Sequence, residues 1–275
     1  MTAKEIHERA ITANGIQLHV ATAGEPVEPA VLLLHGLYDR WEVWEPVIQS
    51  FSEDSWVIAP DLRGHARSEK PMTGYIPQDY AEDMAALLDN LKVSEVVAVG
   101  HSLGALIAAQ LAAGRQDRVR GVVLVDPPFE QSGAARQWLE ILLEAKRGTA
   151  EETYETVKEL NILSGNDEEW RRQTDWLRST ADGPFESMIE MIDQGQSAHD
   201  IELLRDINCP ALLLQADPDS GGALSDAGAT QAMDQLNNAR LHKIEGTGHS
   251  IHRERPELLV RAVNEFLASL GHETA

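Results

Sequence analysis

A serine bracketed by glycines is the part of this chain best placed to do chemistry. Gly100-His101-Ser102-Leu103-Gly104 follows a short β-branched run, Val96-Val97-Ala98-Val99. It precedes an alanine-rich apolar stretch, residues 105–113, that Gly114 can stop. The pattern predicts strand, sharp turn and helix, with Ser102 at the apex of a G-x-S-x-G nucleophile elbow. So tight a turn forces strained backbone angles on the apical residue, and glycine on either side removes Cβ atoms that would clash. The Leu103 N–H would stand at a helix N-terminus, where an unpaired donor and the positive dipole end favour a developing oxyanion. A serine alone is a poor nucleophile. It needs a base within hydrogen-bond reach and a carboxylate that orients the base. Ten histidines compete for the role of base.

The elements that must position these groups alternate between strands and helices. Residues 5–12 and 16–22 predict two strands joined by a type I′ turn at Asn14-Gly15. Apolar runs at 30–34, 56–59, 120–125 and 211–215 predict strands of a largely buried parallel sheet, and 240–244 predicts the last strand. Asp79 is expected to cap a helix, with Glu82 completing a capping box. Tyr80, Met84, Leu87, Leu88 and Leu91 then share one helical face. Beyond Asp126-Pro127-Pro128 the texture changes. Helical stretches carrying Trp138, Tyr154, Trp170, Trp176 and Met188 follow one another with no strand between them. This predicts an α/β core, residues 1–126 and 206–275, interrupted by an inserted helical cap, residues 127–205.

Composition narrows the function classes. The net charge of -22 repels phosphate backbones and anionic lipids, so nucleic-acid and membrane-surface roles are disfavoured. No apolar run approaches the ~20 residues that span a bilayer. Cys209 is the only cysteine, which leaves no intrachain disulfide and no thiolate metal cluster. The polar first residues lack a signal-peptide core, and together these features suggest a cytoplasmic protein. The oligomeric state is left open.

Four motifs in register carry a family resemblance: His35-Gly36, residues 61–68 (Asp-Leu-Arg-Gly-His-Ala-Arg-Ser), Gly100-His101-Ser102-Leu103-Gly104 and Gly246-Thr247-Gly248-His249. With them the chain resembles the α/β-hydrolase superfamily over nearly its whole length, in the capped, esterase-like branch. The resemblance implies an α/β-hydrolase fold: a mainly parallel eight-stranded sheet flanked by helices, with a cap over the serine.

It also implies roles. His249, in a glycine-rich loop after the last strand, takes the place of the base, and His252 is expected to pack. His101 should point away from the site, and His35 and His65 match loop-bracing positions. The acid falls at Asp219, counted three residues beyond Ala216, or at Asp126, the end of the sixth strand that haloalkane dehalogenases use. Asp217 is a further candidate. The commoner family position favours Asp219 by a small margin. Leu37, following His-Gly, would join Leu103 in an oxyanion hole. Trp41, Trp44, Trp138 and Trp176 are expected to line an apolar acyl pocket.

The function so implied is a serine hydrolase that cleaves a small carboxylic ester, lactone or thioester through an acyl-enzyme. Its partner would be a small-molecule acyl substrate, with no metal and no organic cofactor. A serine argues against haloalkane dehalogenases and epoxide hydrolases, whose alkyl-ester intermediate needs an aspartate nucleophile. Carbon–carbon bond hydrolases and cofactor-free perhydrolases share the triad. A ligand receptor that keeps the fold is the alternative of another class.

Overall fold

The computed structural model describes residues 4–129, 133–160, 165–194 and 201–270. Eight strands form one sheet in the order β1-β2-β4-β3-β5-β6-β7-β8. They are β1 (Ile6–Ala13), β2 (Ile16–Ala23), β3 (Ala30–Leu34), β4 (Val57–Pro60), β5 (Val96–His101), β6 (Val119–Val125), β7 (Ala211–Ala216) and β8 (Ala239–Ile244). β1 and β2 form a hairpin, and β2 lies antiparallel to β4; every other pairing is parallel. The hairpin turns at Asn14 and Gly15 with φ of 49° and 78°, the two left-handed positions of a type I′ turn.

The central strands are almost wholly apolar because both faces are covered. Successive side chains alternate between two cores, as the two-residue strand period requires. Leu32, Leu34, Ala98, Val122 and Leu124 face one side, and Val31, Leu33, Val97, Val99 and Val123 face the other. Helices α2 (Pro77–Leu91) and α3 (Leu103–Gly114) cover the first face, joined by residues of α8 (Asp226–Gln235). α1 (Glu45–Phe51) and α10 (Pro256–Leu270) cover the second. α2 starts three residues earlier than its capping signal suggests. Pro77 occupies the first turn, Ile76 is the cap residue, and Asp79 reaches back to accept the Ile76 N–H at 3.0 Å. The carboxylate three residues inside the helix does the work that had been expected of the pair Asp79 and Glu82.

Between β6 and β7 the described residues form four α-helices: α4 (Gly133–Arg147), α5 (Ala150–Leu160), α6 (Asp167–Ser179) and α7 (Gly183–Asp193). They seat on loops that leave the C-terminal ends of the strands. The Ala181 N–H donates to the Gly64 carbonyl at 2.7 Å, and the Arg40 guanidinium donates to Ser179 Oγ at 3.0 Å. Among the described residues no helix is long and apolar enough to cross a membrane.

Candidate active site

The elbow after β5 takes the form its glycines require. Ser102 sits at φ 53°, ψ -118°, and its N–H donates to the Val125 carbonyl at 3.0 Å. A Cβ on Gly100 would lie 2.6 Å from Ala105 N, and one on Gly104 would lie 2.8 Å from His35 O. These approaches are too close for any side chain, so β3, the elbow and α3 lock together only through glycine. Ser102 is half-buried, and Leu103 is the first residue of α3. The helix therefore offers its first amides, which have no partner one turn back, beside the serine. Leu37 is buried in the loop after β3, followed by Tyr38 at φ 52°.

The carboxylate that meets His249 is Asp126. His249 Nδ1 donates to Asp126 Oδ2 at 2.6 Å. Asp126 directly follows β6, at φ 45°, and is fully buried. Three backbone amides hold it: Ala216 N–H at 3.1 Å, Ala223 N–H at 2.7 Å and Leu224 N–H at 3.3 Å. Asp219, favoured by sequence, is not brought to His249. It lies exposed on a short 3₁₀ turn (Pro218–Ser220), and among the described residues only its own N–H is engaged, by Asp217 Oδ1 at 3.1 Å. Asp217 is likewise spent on its own loop. It accepts Ser220 Oγ at 3.1 Å and Gly246 N–H at 2.9 Å, and these bonds hold its carboxyl below the usual range, the Gly246 amide first. The Asp126 bond leaves Nε2 as the ring nitrogen of His249 open to a proton from Ser102. The Ser102 hydroxyl makes no hydrogen bond among the described residues.

Behind His249 lies a layer of buried histidines. His101 Nε2 donates to the His249 carbonyl at 3.0 Å, which ties the elbow to the loop, and the two rings lie 4.6 Å apart between centroids. His252 packs between rings, 4.3 Å from His101 and 4.9 Å from Trp44 between centroids. Burial pushes both imidazoles well below their ordinary range and keeps them neutral. His101, His252 and Asp39 offer ligand atoms within 4.8 Å of one another. A tetrahedral ion bound at about 2.0–2.1 Å needs donors roughly 3.4 Å apart. Asp39, moreover, already pairs with Arg253 at 2.8 Å. His35 and His65 brace loops: His35 Nε2 accepts the Leu62 N–H at 2.9 Å, and His65 Nδ1 donates to the Arg63 carbonyl at 2.7 Å.

The four tryptophans separate. Trp138 on α4 is partly buried, with its ring 6.3 Å from that of Tyr38, next to Leu37 and in the same core as Leu103. Trp41, Trp44 and Trp176 belong to the opposite core, with α1 and α10. Trp44 has no exposed surface and Trp41 only 4%, so these two pack rather than line a pocket. Trp176 borders a groove of about 410 Å³ together with Glu42, Glu169, Arg172, Arg253 and Glu254. Neither Ser102 nor His249 lines that groove. Arg253 and Asp39 were not singled out from sequence; a lone arginine one turn past a histidine carries no pattern.

Residues 31–262 match the model of the alpha/beta hydrolase family. A 2-(acetamidomethylene)succinate hydrolase from Mesorhizobium japonicum is 27% identical over 94% of each chain. A soluble epoxide hydrolase from a Corynebacterium strain is 36% identical, over 46% of this chain and 43% of its own length. An enol-lactonase structure from Burkholderia xenovorans superposes with a TM-score of 0.81 at 23% identity, covering 94% of this chain and all of the other.

Proposed function

Because the chain belongs to the alpha/beta hydrolase family, we propose that it is a serine hydrolase that cleaves a small, uncharged carboxylic ester or lactone. The observation that carries this reading is the buried carboxylate of Asp126 on His249 Nδ1, in a chain that sets a serine at the strained elbow. Ser102 Oγ attacks the carbonyl carbon and passes its proton to His249 Nε2, while the carbonyl electron pair moves onto oxygen. The amides of Leu103 and Leu37 hold that oxyanion. Asp126 stabilises the imidazolium. Collapse expels the alcohol oxygen, which takes the proton from His249. Water then attacks the acyl-enzyme with His249 again as base, and the carboxylic acid leaves Ser102 free.

An uncharged substrate fits a molecule of net charge -22, which repels anions before they dock. It also fits the apolar side chains of Leu37, Leu103 and Trp138, gathered in one core. Helices α4–α7 act as a cap that sets access from above the strand ends. A serine nucleophile disfavours epoxide opening. The full-length match to the succinate-derivative hydrolase supports a second reading, in which the same triad cleaves an amide or a carbon–carbon bond.

A fluorophosphonate probe should label Ser102 alone. Ser102→Ala should keep the fold and lose nearly all turnover. A panel of short p-nitrophenyl esters, lactones, N-acyl enamines and vinylogous diketones then assigns the class. Labelling at another serine, with Ser102→Ala still active, overturns the reading. Single-turnover modification of His249 would favour a receptor instead.

A further inference from the structure

Arg253 lies four residues past His249, on the single helical turn α9 (Ile251–Glu254). A cation there would ordinarily face water, yet its side chain is only 13% exposed. It joins three separate pieces of chain. Nη2 donates to Asp39 Oδ1 at 2.8 Å, and Asp39 stands two residues beyond Leu37. Nη1 donates to Glu169 Oε1 on α6 at 3.3 Å. The guanidinium lies 4.9 Å from the centroid of Trp176, also on α6, where Arg40 and Arg172 approach the same indole at 5.0 and 5.2 Å. The next residue, Glu254, accepts the Gly248 N–H at 3.0 Å, directly before His249.

We propose that Arg253 is a positioning residue that fastens α6 of the helical insert to the two loops carrying Leu37 and His249. The oxyanion donor and the base then reach working geometry together, and only with the insert seated. This rests on the serine-hydrolase reading above. A guanidinium suits the task because its planar fork bonds two carboxylates and still stacks on an indole, whereas an ammonium is a point charge without that fork. Asp39 supplies the other half of the argument. Burial pushes its carboxyl above the usual range, and the Arg253 guanidinium 2.8 Å away opposes that shift. The loops meeting at Arg253 are those whose misplacement a triad tolerates least, since a shift of about 1 Å costs on the order of 100-fold.

The test compares wild type with Arg253→Lys, Arg253→Met and Glu169→Gln. Folding is followed by circular dichroism, turnover with a short p-nitrophenyl ester, and serine activation by the fluorophosphonate labelling rate of Ser102. Arg253→Lys should stay folded, keep KM within about threefold and lower kcat and labelling together by at least about tenfold. Glu169→Gln should lower both by about threefold, and combining it with Arg253→Met should add little to Arg253→Met alone, because both cut one link. If Arg253→Met fails to fold, the Lys and Gln variants carry the result. The proposal is overturned if folded Arg253→Lys labels and turns over at the wild-type rate, or if it raises KM alone. A wild-type protein whose Ser102 resists the probe overturns the serine-hydrolase reading instead, whatever Arg253 does.

Discussion

Replacing Asp126 by asparagine keeps the volume and changes the proton inventory. The native carboxylate accepts four hydrogen bonds: Ala216 and Leu224 N–H on Oδ1, Ala223 N–H and His249 Nδ1 on Oδ2. An asparagine has one oxygen and one NH₂, so whichever way it turns, an NH₂ faces two donors. With the oxygen kept toward Ala216 and Leu224, the Ala223 amide loses its partner. His249 must then shift its proton to Nε2 so that Nδ1 can accept from the NH₂. An imidazole protonated at Nε2 cannot take the Ser102 proton, a tautomer error that costs roughly 10⁴ in kcat in triads of this kind. The orphaned buried amide costs about 1–3 kcal/mol of stability. Asp126→Asn should therefore remain folded with a lowered melting temperature while its turnover falls about four decades. Asp219→Asn should leave both within noise, since its exposed carboxylate meets no donor among the described residues. Circular dichroism and steady-state ester hydrolysis measure the two effects. Turnover within tenfold of wild type in folded Asp126→Asn would refute the assignment, the more so if Asp219→Asn were inactive.

Two further outcomes follow from the packing. Gly104→Ala puts a methyl 2.8 Å from His35 O and nearer still to Leu34 O, against backbone that cannot turn aside. α3 must then move by roughly 1 Å, which should lower kcat about 100-fold through the Leu103 amide; unchanged turnover in a folded variant would argue against oxyanion stabilisation there. Burial pushes the His65 imidazole down to about 4 from an ordinary 6.5. The folded protein thus keeps it neutral while the unfolded chain takes up a proton, and its contribution to stability, whole above pH 6.5, is lost as the pH falls toward 4. The melting-temperature gap between wild type and His65→Gln should narrow across that window, and a constant gap would contradict the burial argument.

What could be read in the sequence was local, and what could not was set by distant chain. The elbow is local: two glycines, a β-branched run and an alanine-rich helix specify backbone angles within a few residues, and Ser102 stands where they put it. The strands were legible because a two-face burial demand writes itself into nearly every residue of β3, β5 and β6. The triad acid was not. Asp126 and Asp219 both follow a strand, and nothing near either one distinguishes them. The distinction comes from the segment after β7. There Asp217 captures Asp219 N–H, Ser220 Oγ and Gly246 N–H, and the chain then swings back to deliver the Ala223 and Leu224 amides to Asp126. A carboxylate already met by three amides is a better-fixed partner for a histidine than one on a solvent-facing turn. The partner it meets is 123 residues away. The tryptophans were ambiguous for the same reason. Trp41 and Trp44 sit on one 3₁₀ turn (Trp41–Trp44), and aromatic spacing does not reveal whether that face meets a substrate or the helices behind the sheet. It meets α1 and α9, and Leu37 and Trp41, four residues apart, fall in opposite cores.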